Sequence, residues 1–251
     1  MRNKIFFIAP ILIFCFAFHF ACNSSQELVK KIPNNKTKVD SPDLDKENGE
    51  WQSLFNGKNL EGWHVFNNPE TDGKWKVSDG ALFFDSKADA QGGDIVTDGD
   101  YENFEFMLEW KISACGNSGI FWGVQENGKL DRTWHSAPEM QVLDNTCHPD
   151  AKIVTHRAGD LYDMISCSEE TVKPAGEWNA VKIIANNGKY KFYQNGVNVV
   201  SFEMFNDKWD AMVADSKFKD RAHFGKYRKG KFALQDHGND VWFRNIKIRE
   251  L

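Results

Sequence analysis

Apolar residues recur at every second position over most of the chain, which is the period of a half-buried β-strand and not of a helix. The clearest stretch is residues 103–112, where Phe104, Phe106, Leu108, Trp110 and Ile112 make one face and Glu105, Glu109 and Lys111 the other. Val181, Ile183 and Ala185 repeat the alternation. Asn187-Gly188 then supplies the positive φ angles of a tight hairpin before residues 190–193. Asn195-Gly196 turns the chain again into residues 197–202, so three strands in series form a meander. Helical spacing is confined to residues 207–217, where Trp209, Met212 and Val213 share a face, and strand character returns over 231–235 and 241–248. About ten to twelve short strands with regular turns and one short helix predict an all-β sandwich of two antiparallel sheets. No internal repeat supports a propeller, and a jelly roll fits the length best.

Within this pattern residues 139–144 (EMQVLD) predict a strand whose faces differ in purpose. Met140 and Val142 point to a core, Glu139 and Gln141 point together to the opposite face, and Asp144 opens a turn at the strand end. A carboxyl and a carboxamide side by side suit the gripping of hydroxyls and the movement of protons, hence carbohydrate chemistry. A solvated strand face is the plainer account of the same alternation.

The beginning of the chain follows another logic. Arg2 and Lys4 precede an apolar run over residues 5–18 that is short for a membrane span, and Ala21-Cys22 with a polar sequel closes it. Residues 1–21 therefore read as a secretion signal. The Ala-Cys end resembles a bacterial lipobox in which Cys22 is lipidated, although His19 departs from that pattern and leaves ordinary signal cleavage as the alternative. Residues 22–49 are polar and without apolar periodicity, and are expected to be a disordered tether. Residues 50–251 then provide enough chain for one packed domain. The expected location is the bacterial cell envelope, with the protein anchored to a membrane and facing the periplasm.

Arg2 and Lys4 are the only charged residues of 1–21, so the remainder holds 29 basic against 36 acidic residues, a net charge of −7. That balance argues against nucleic acid as a partner and suits a neutral ligand. Beyond Cys15 in the signal and Cys22 at its end, three cysteines remain, and Cys147 with Cys167 is the first choice for a disulfide.

Further clusters carry polar chemistry. Asn117 and Ser118 can bond hydroxyls, with Trp122 following as a platform for a sugar ring or, alternatively, a core residue. His156, Arg157, Asp160 and Tyr162 crowd one loop, where His156 is suited to proton transfer and Arg157 to fixing a carboxylate or carbonyl. Gln235 and His237 lie at a strand end and in the turn beyond it, and Lys173 offers a cation beside a rigid proline turn. Asp94, Asp98 and Asp100 form an acidic loop that calcium could occupy or that water simply solvates; no other cofactor is expected. There is no G-x-S-x-G elbow, phosphate loop, dinucleotide fingerprint or H-E-x-x-H motif, and the carboxylate pairing of laminarinase-type glycosidases is missing from residues 139–144.

Eight pieces in order resemble one family, the 3-keto-disaccharide hydrolase domain. They are residues 53–63 (SLFNGKNLEGW), 117–121 (NSGIF), 139–144 (EMQVLD), 158–163 (AGDLYD), 176–179 (GEWN), 194–196 (QNG), 234–238 (LQDHG) and 243–248 (FRNIKI). The resemblance implies a concanavalin-A-like jelly-roll sandwich acting on glycosides oxidised at C3 of a glucose ring. A C3 ketone acidifies the C2 proton, so a base can remove it and the C1 substituent can leave, with water adding afterwards. Base or acid work is then expected of Glu139 and His156, with His237 the alternative partner. Gln141, Arg157, Gln235 and Tyr162 would hold hydroxyls or the ketone, and Asp144 or Asp160 would orient a histidine. A non-catalytic carbohydrate-binding module and a structural surface lipoprotein are the competing readings.

Overall fold

The computed structural model describes residues 49–69 and 73–251. The expected signal 1–21, Cys22 and nearly all of the expected tether lie outside the described residues.

The strands are β1 (Gln52–Ser53), β2 (Trp63–Val65), β3 (Trp75–Ser78), β4 (Ala81–Phe84), β5 (Ile95–Thr97), β6 (Phe104–Ile112), β7 (Asn117–Val124), β8 (Glu139–Leu143), β9 (Asn179–Asn186), β10 (Lys189–Gln194), β11 (Val197–Glu203), β12 (Lys231–Leu234) and β13 (Val241–Glu250). One α-helix, α1 (Asp207–Asp215), joins them among the described residues. An eight-stranded sheet runs β11-β10-β9-β6-β13-β4-β3, with β1 added on β13, and a five-stranded sheet runs β2-β5-β12-β7-β8. All pairings are antiparallel, as in the β6–β13, β6–β9 and β7–β8 ladders.

Strand β6 shows why the sandwich forms. Its burial alternates without a break, and its outward Glu105 and Glu109 meet Arg249 and Arg244 of β13 at 2.5 and 2.7 Å. The meander β9-β10-β11 forms as the turns predict, with Asn187 and Asn195 at φ 50° and glycines following them. Between the sheets Phe106 stacks on Phe232 at a centroid distance of 4.0 Å. Trp122 lodges among Tyr190, Phe192 and Phe202, 2% exposed. In α1, Asn206 caps the first turn by accepting from Trp209 N–H, and Trp209 and Val213 bury its inner face.

The disulfide differs from the expectation. Cys147 pairs with Cys115, not with Cys167, whose thiol is free. Antiparallel pairing of β7 with β8 sets Asn117 opposite Leu143, so the chain entering β7 and the chain leaving β8 meet at the two cysteines. Asp144 fixes that junction by accepting from the N–H groups of Cys115 and Thr146. Cys167 is held elsewhere, its N–H donating to Asp160 Oδ1 at 2.7 Å.

Candidate active site

Strand β8 ends the five-stranded sheet, yet all five of its residues are buried, because both faces and its free edge are covered. Met140 and Val142 enter the core, fully buried. Glu139 and Gln141 face outward, as the alternation predicts. The chain over residues 159–162 runs along the free edge: Gln141 N–H donates to Asp160 O at 3.1 Å, Gly159 N–H to Gln141 O at 2.8 Å, and Tyr162 N–H to Glu139 O at 3.0 Å. That register puts Tyr162 beside Glu139.

On the other side, β7 places Phe121 opposite Glu139 and Gly119 opposite Gln141. The glycine matters here, since a Cβ on residue 119 would lie 2.0 Å from Glu139 Oε1. Past the end of β12, Gln235 N–H donates to Gly119 O at 3.0 Å, so the turn carrying Gln235 and His237 leaves the sheet next to the carboxyl. The segment after α1 completes the enclosure with Lys217, Phe218 and Arg221. Lys217 N–H donates to Asp163 Oδ2 at 2.8 Å, its ammonium sits 3.8 Å from the Tyr162 ring centre, and Arg221 lies 4.7 Å from the Trp134 ring. The result is a cleft of about 370 Å³ lined by ten residues, of which Glu139 alone carries a carboxyl.

Burial dominates the electrostatics. It pushes the Glu139 pKa up to about 8, the Lys217 cation pulling it back and Asp94 and Asp150 pushing it further. Burial also lowers Lys217, against the pull of Glu139, Asp163 and Asp150. The Tyr162 hydroxyl is raised by burial and then by Glu139, so it stays a donor at neutral pH. A carboxyl poised near neutrality, two cations, a phenol and the amides Asn117, Gln141 and Gln235 can move a proton and hold a neutral, hydroxyl-rich ligand. Gln235 Oε1 is buried and lacks a protein partner among the described residues.

The expected residues divide clearly. Glu139, Gln141, Asn117, Tyr162, Gln235 and His237 converge on the cleft. Trp122 and Ser118 do not, because even-numbered positions of β7 face inward. Trp122 is core, and Ser118 Oγ donates to Gln235 O at 2.8 Å, bracing the neighbouring strand end. Arg157 is spent on Ala151 O at 2.9 Å and Glu170 at 3.3 Å, and Lys173 on Trp178 O at 3.0 Å. Neither of them lines the cleft.

Nor do Asp144 and Asp160 orient a histidine. Burial opposes ionisation of Asp144, but the N–H groups of Cys115 and Thr146 outweigh it and hold the carboxyl low. Asp160 accepts from Arg157 and Cys167 N–H groups, and burial raises it. His156 lies behind the cleft wall, packed on Tyr162 at a ring distance of 4.3 Å, and its partner is Asp163 at 3.0 Å. Asp94, Asp98 and Asp100 part company: Asp94 binds Thr133 and Asp236 N–H, Asp98 binds His64, and Asp100 faces Lys231 at 3.7 Å, so they form no common cation cage. Trp134, Lys217, Phe218 and Arg221 were not foreseen. Trp134, Phe218 and Arg221 sit in segments without periodicity and Lys217 falls at the end of the helical stretch; Lys217 is placed by its bond to Asp163 and Arg221 by its contact with Trp134.

Two antiparallel sheets with a polar cleft on the outer face of the smaller one define a jelly-roll sandwich. The chain belongs to the 3-keto-alpha-glucoside-1,2-lyase-like domain family, whose model matches residues 50–249. It is 36% identical over 225 residues to a 3-keto-disaccharide hydrolase of Bacteroides thetaiotaomicron, covering 79% of this chain and 78% of that one. A crystal structure of a Parabacteroides distasonis protein proposed to be a glycosyl hydrolase superposes with a TM-score of 0.74 at 32% identity, over 81% of this chain and 94% of that one. The fold is also that of a Bacillus subtilis protein of unknown function with a galectin-like fold, at a TM-score of 0.52 and 13% identity, over 80% of this chain and 98% of that one.

Proposed function

We propose that the protein is a glycoside hydrolase acting on 3-keto-glucosides by elimination and hydration, with Glu139 as the base. The observation that carries this reading is the lone carboxyl of the cleft, raised to about 8 and flanked by cations. Double-carboxylate hydrolysis requires two carboxyl groups roughly 5–9.5 Å apart across the scissile bond, and the cleft lining supplies one. Removal of an acidified C2 proton requires one base. Family membership and the Bacteroides relative's name support the same substrate class.

In this mechanism the C2–H bond breaks, its proton passes to Glu139, and the electron pair forms an enolate with its charge on the C3 oxygen. Lys217 or Arg221 stabilises that oxygen. The enolate then collapses, a C1=C2 bond forms and the C1–O bond breaks. The leaving oxygen takes a proton from His237, which stands at the mouth where the cleft continues. Water then adds to the unsaturated ketone, its oxygen to C1 and a proton to His237, while Glu139 returns a proton to C2, giving 3-ketoglucose and restoring both groups. Gln141, Gln235 and Asn117 hold ring hydroxyls, while His156 and Asp163 keep Tyr162 and Lys217 in place. Asp163 is thus a positioning residue.

Incubating the domain with a 3-keto-glucoside and with its unoxidised parent tests the reading. Release of the alcohol from the keto sugar alone is expected, with exchange of the C2 proton for deuterium in heavy water. Turnover of the parent would favour a conventional glycosidase, and binding without turnover a carbohydrate-binding module. The proposal also keeps Cys22 as a lipid anchor facing the periplasm. Cells fed an alkyne-bearing fatty acid should label the wild type and not the Cys22→Ser variant.

A further inference from the structure

Four residues of the cleft, Trp134, Arg221, Gln235 and His237, are held by a buried carboxyl that does not itself line it. Asp94 lies just ahead of β5 and spends one oxygen on each of two walls. Its Oδ2 accepts the hydroxyl of Thr133, which is fully buried and opens the one-turn 3₁₀ helix Thr133–His135. The next residue is Trp134, and Arg221 rests on its ring. Asp94 Oδ1 accepts the N–H of Asp236, the residue between Gln235 and His237, at 2.9 Å. The attachment is returned: Gly93 N–H donates to Asp236 Oδ2 at 2.8 Å, and Gly238 N–H closes the turn on Asp236 Oδ1 at 2.9 Å. A Cβ at Gly92 would lie 2.2 Å from Asp236 Oδ2, so this close approach depends on glycine.

Each carboxyl oxygen thus meets one donor. A buried donor left without its acceptor is costly, so each turn has one favoured place against Asp94. We propose that Asp94 is a second positioning residue: one carboxyl fixes the turn bearing Trp134 and the turn bearing Gln235 and His237, and so sets where Arg221 and His237 meet the substrate. The inference rests on the keto-glycoside reading for the roles of those two residues. The same carboxyl also acts through its charge. Burial pushes Asp94 up to about 6 against its bonds to Thr133 and Asp236 N–H, the Asp236 charge adding to the rise and Arg132 opposing it. It is therefore ionised where Glu139 titrates. Beyond burial, Lys217 favours the Glu139 carboxylate and Asp94 and Asp150 oppose it, while Tyr162, Arg221 and His237 complete the ionisable lining.

The test measures kcat and KM for a 3-keto-glucoside across pH 6–9.5, with the unfolding temperature of each variant. Asp94→Ala frees both turns and should lower kcat about 100-fold, with KM changed less because Asn117 and Gln141 stay in place. Asp94→Asn can still accept Asp236 N–H and, through its amide, donate to Thr133 Oγ1. It should recover kcat to within about tenfold of the wild type and move the rising limb to lower pH, since a charge opposing Glu139 is gone. Thr133→Val keeps that charge and cuts one bond, so kcat should fall about tenfold with the limb unmoved. Wild-type kcat in Asp94→Ala overturns the proposal, as does an Asp94→Asn variant no better than Asp94→Ala or one whose limb stays in place. Where Asp94→Ala does not fold, wild-type kcat in Thr133→Val overturns it instead. No turnover by the wild type overturns the keto-glycoside reading alone. Amide hydrogen exchange then reads the brace: Asp236 N–H should lose protection in Asp94→Ala, and equal protection overturns the proposal.

Discussion

Replacing Glu139 with glutamine should abolish the chemistry and stabilise the fold. The carboxyl has an ordinary pKa of 4.5 in the unfolded chain and about 8 in the folded one, a separation of about 3.5 pH units. A raised folded pKa means that the native state holds the proton more tightly. The stability contributed by that proton is whole below pH 4.5 and is lost as pH rises through 8. At about 1.4 kcal/mol per unit the loss is about 5 kcal/mol above pH 8, and about 1 kcal/mol at pH 5. Glutamine fills nearly the same space beside Gly119 and does not titrate. Urea unfolding at pH 5 should therefore find the two proteins within about 1 kcal/mol, and at pH 8.5 the variant ahead by about 4 kcal/mol. Catalysis should fall by about 10²- to 10⁴-fold at both pH values. A variant no more stable than the wild type at pH 8.5 would refute the claim that burial raises this carboxyl, and with it the reason for choosing Glu139 as base.

The base must be ionised to act, so kcat/KM should rise with pH and level off above about 8. In Lys217→Met the rising limb should move to higher pH, because the cation that now pulls Glu139 down is gone; stopped assays across pH 6–9.5 read both limbs. Gly119→Ala forces its methyl against Glu139 Oε1 and should lower activity at least about tenfold, with circular dichroism unchanged. Loss of the Cys115–Cys147 bridge in Cys147→Ser should destabilise the domain by about 3–4 kcal/mol, as its sequence separation of 32 implies. Cys167→Ser should leave the bridge intact in non-reducing peptide maps.

Much of the architecture was legible because period-two burial is a local signal. Residues 104–112 could hardly form anything but a central strand, and Asn187-Gly188 and Asn195-Gly196 name their own turns. The same parity exposes Glu139 and Gln141, and on β7 it turns Ser118 and Trp122 inward, out of phase with Asn117, which selects the core reading of Trp122. The loop of His156 misled for another reason. Its polar density reflects bonds that hold the loop together, Arg157 to Ala151 and Asp160 to Cys167, and Tyr162 alone of its expected site residues lines the cleft. Lys217 and Arg221 gave no local sign at all. Their placement depends on Asp163 and on Gly225 N–H donating to Ser136 O, contacts that join segments far apart in sequence. The disulfide failed likewise, because the choice among three cysteines turns on the β7–β8 register.

The strip of chain that borders β8 supplies Tyr162 and also occupies the hydrogen-bonding groups of a terminal strand. An uncovered strand edge is a template on which another molecule's backbone can add, so the strip guards against self-association while it builds one wall of the cleft. Substitutions that loosen residues 159–162 should therefore produce inactive protein that also gathers into oligomers or precipitates. Reduced yield from such variants would report an unguarded sheet margin, not a weakened core.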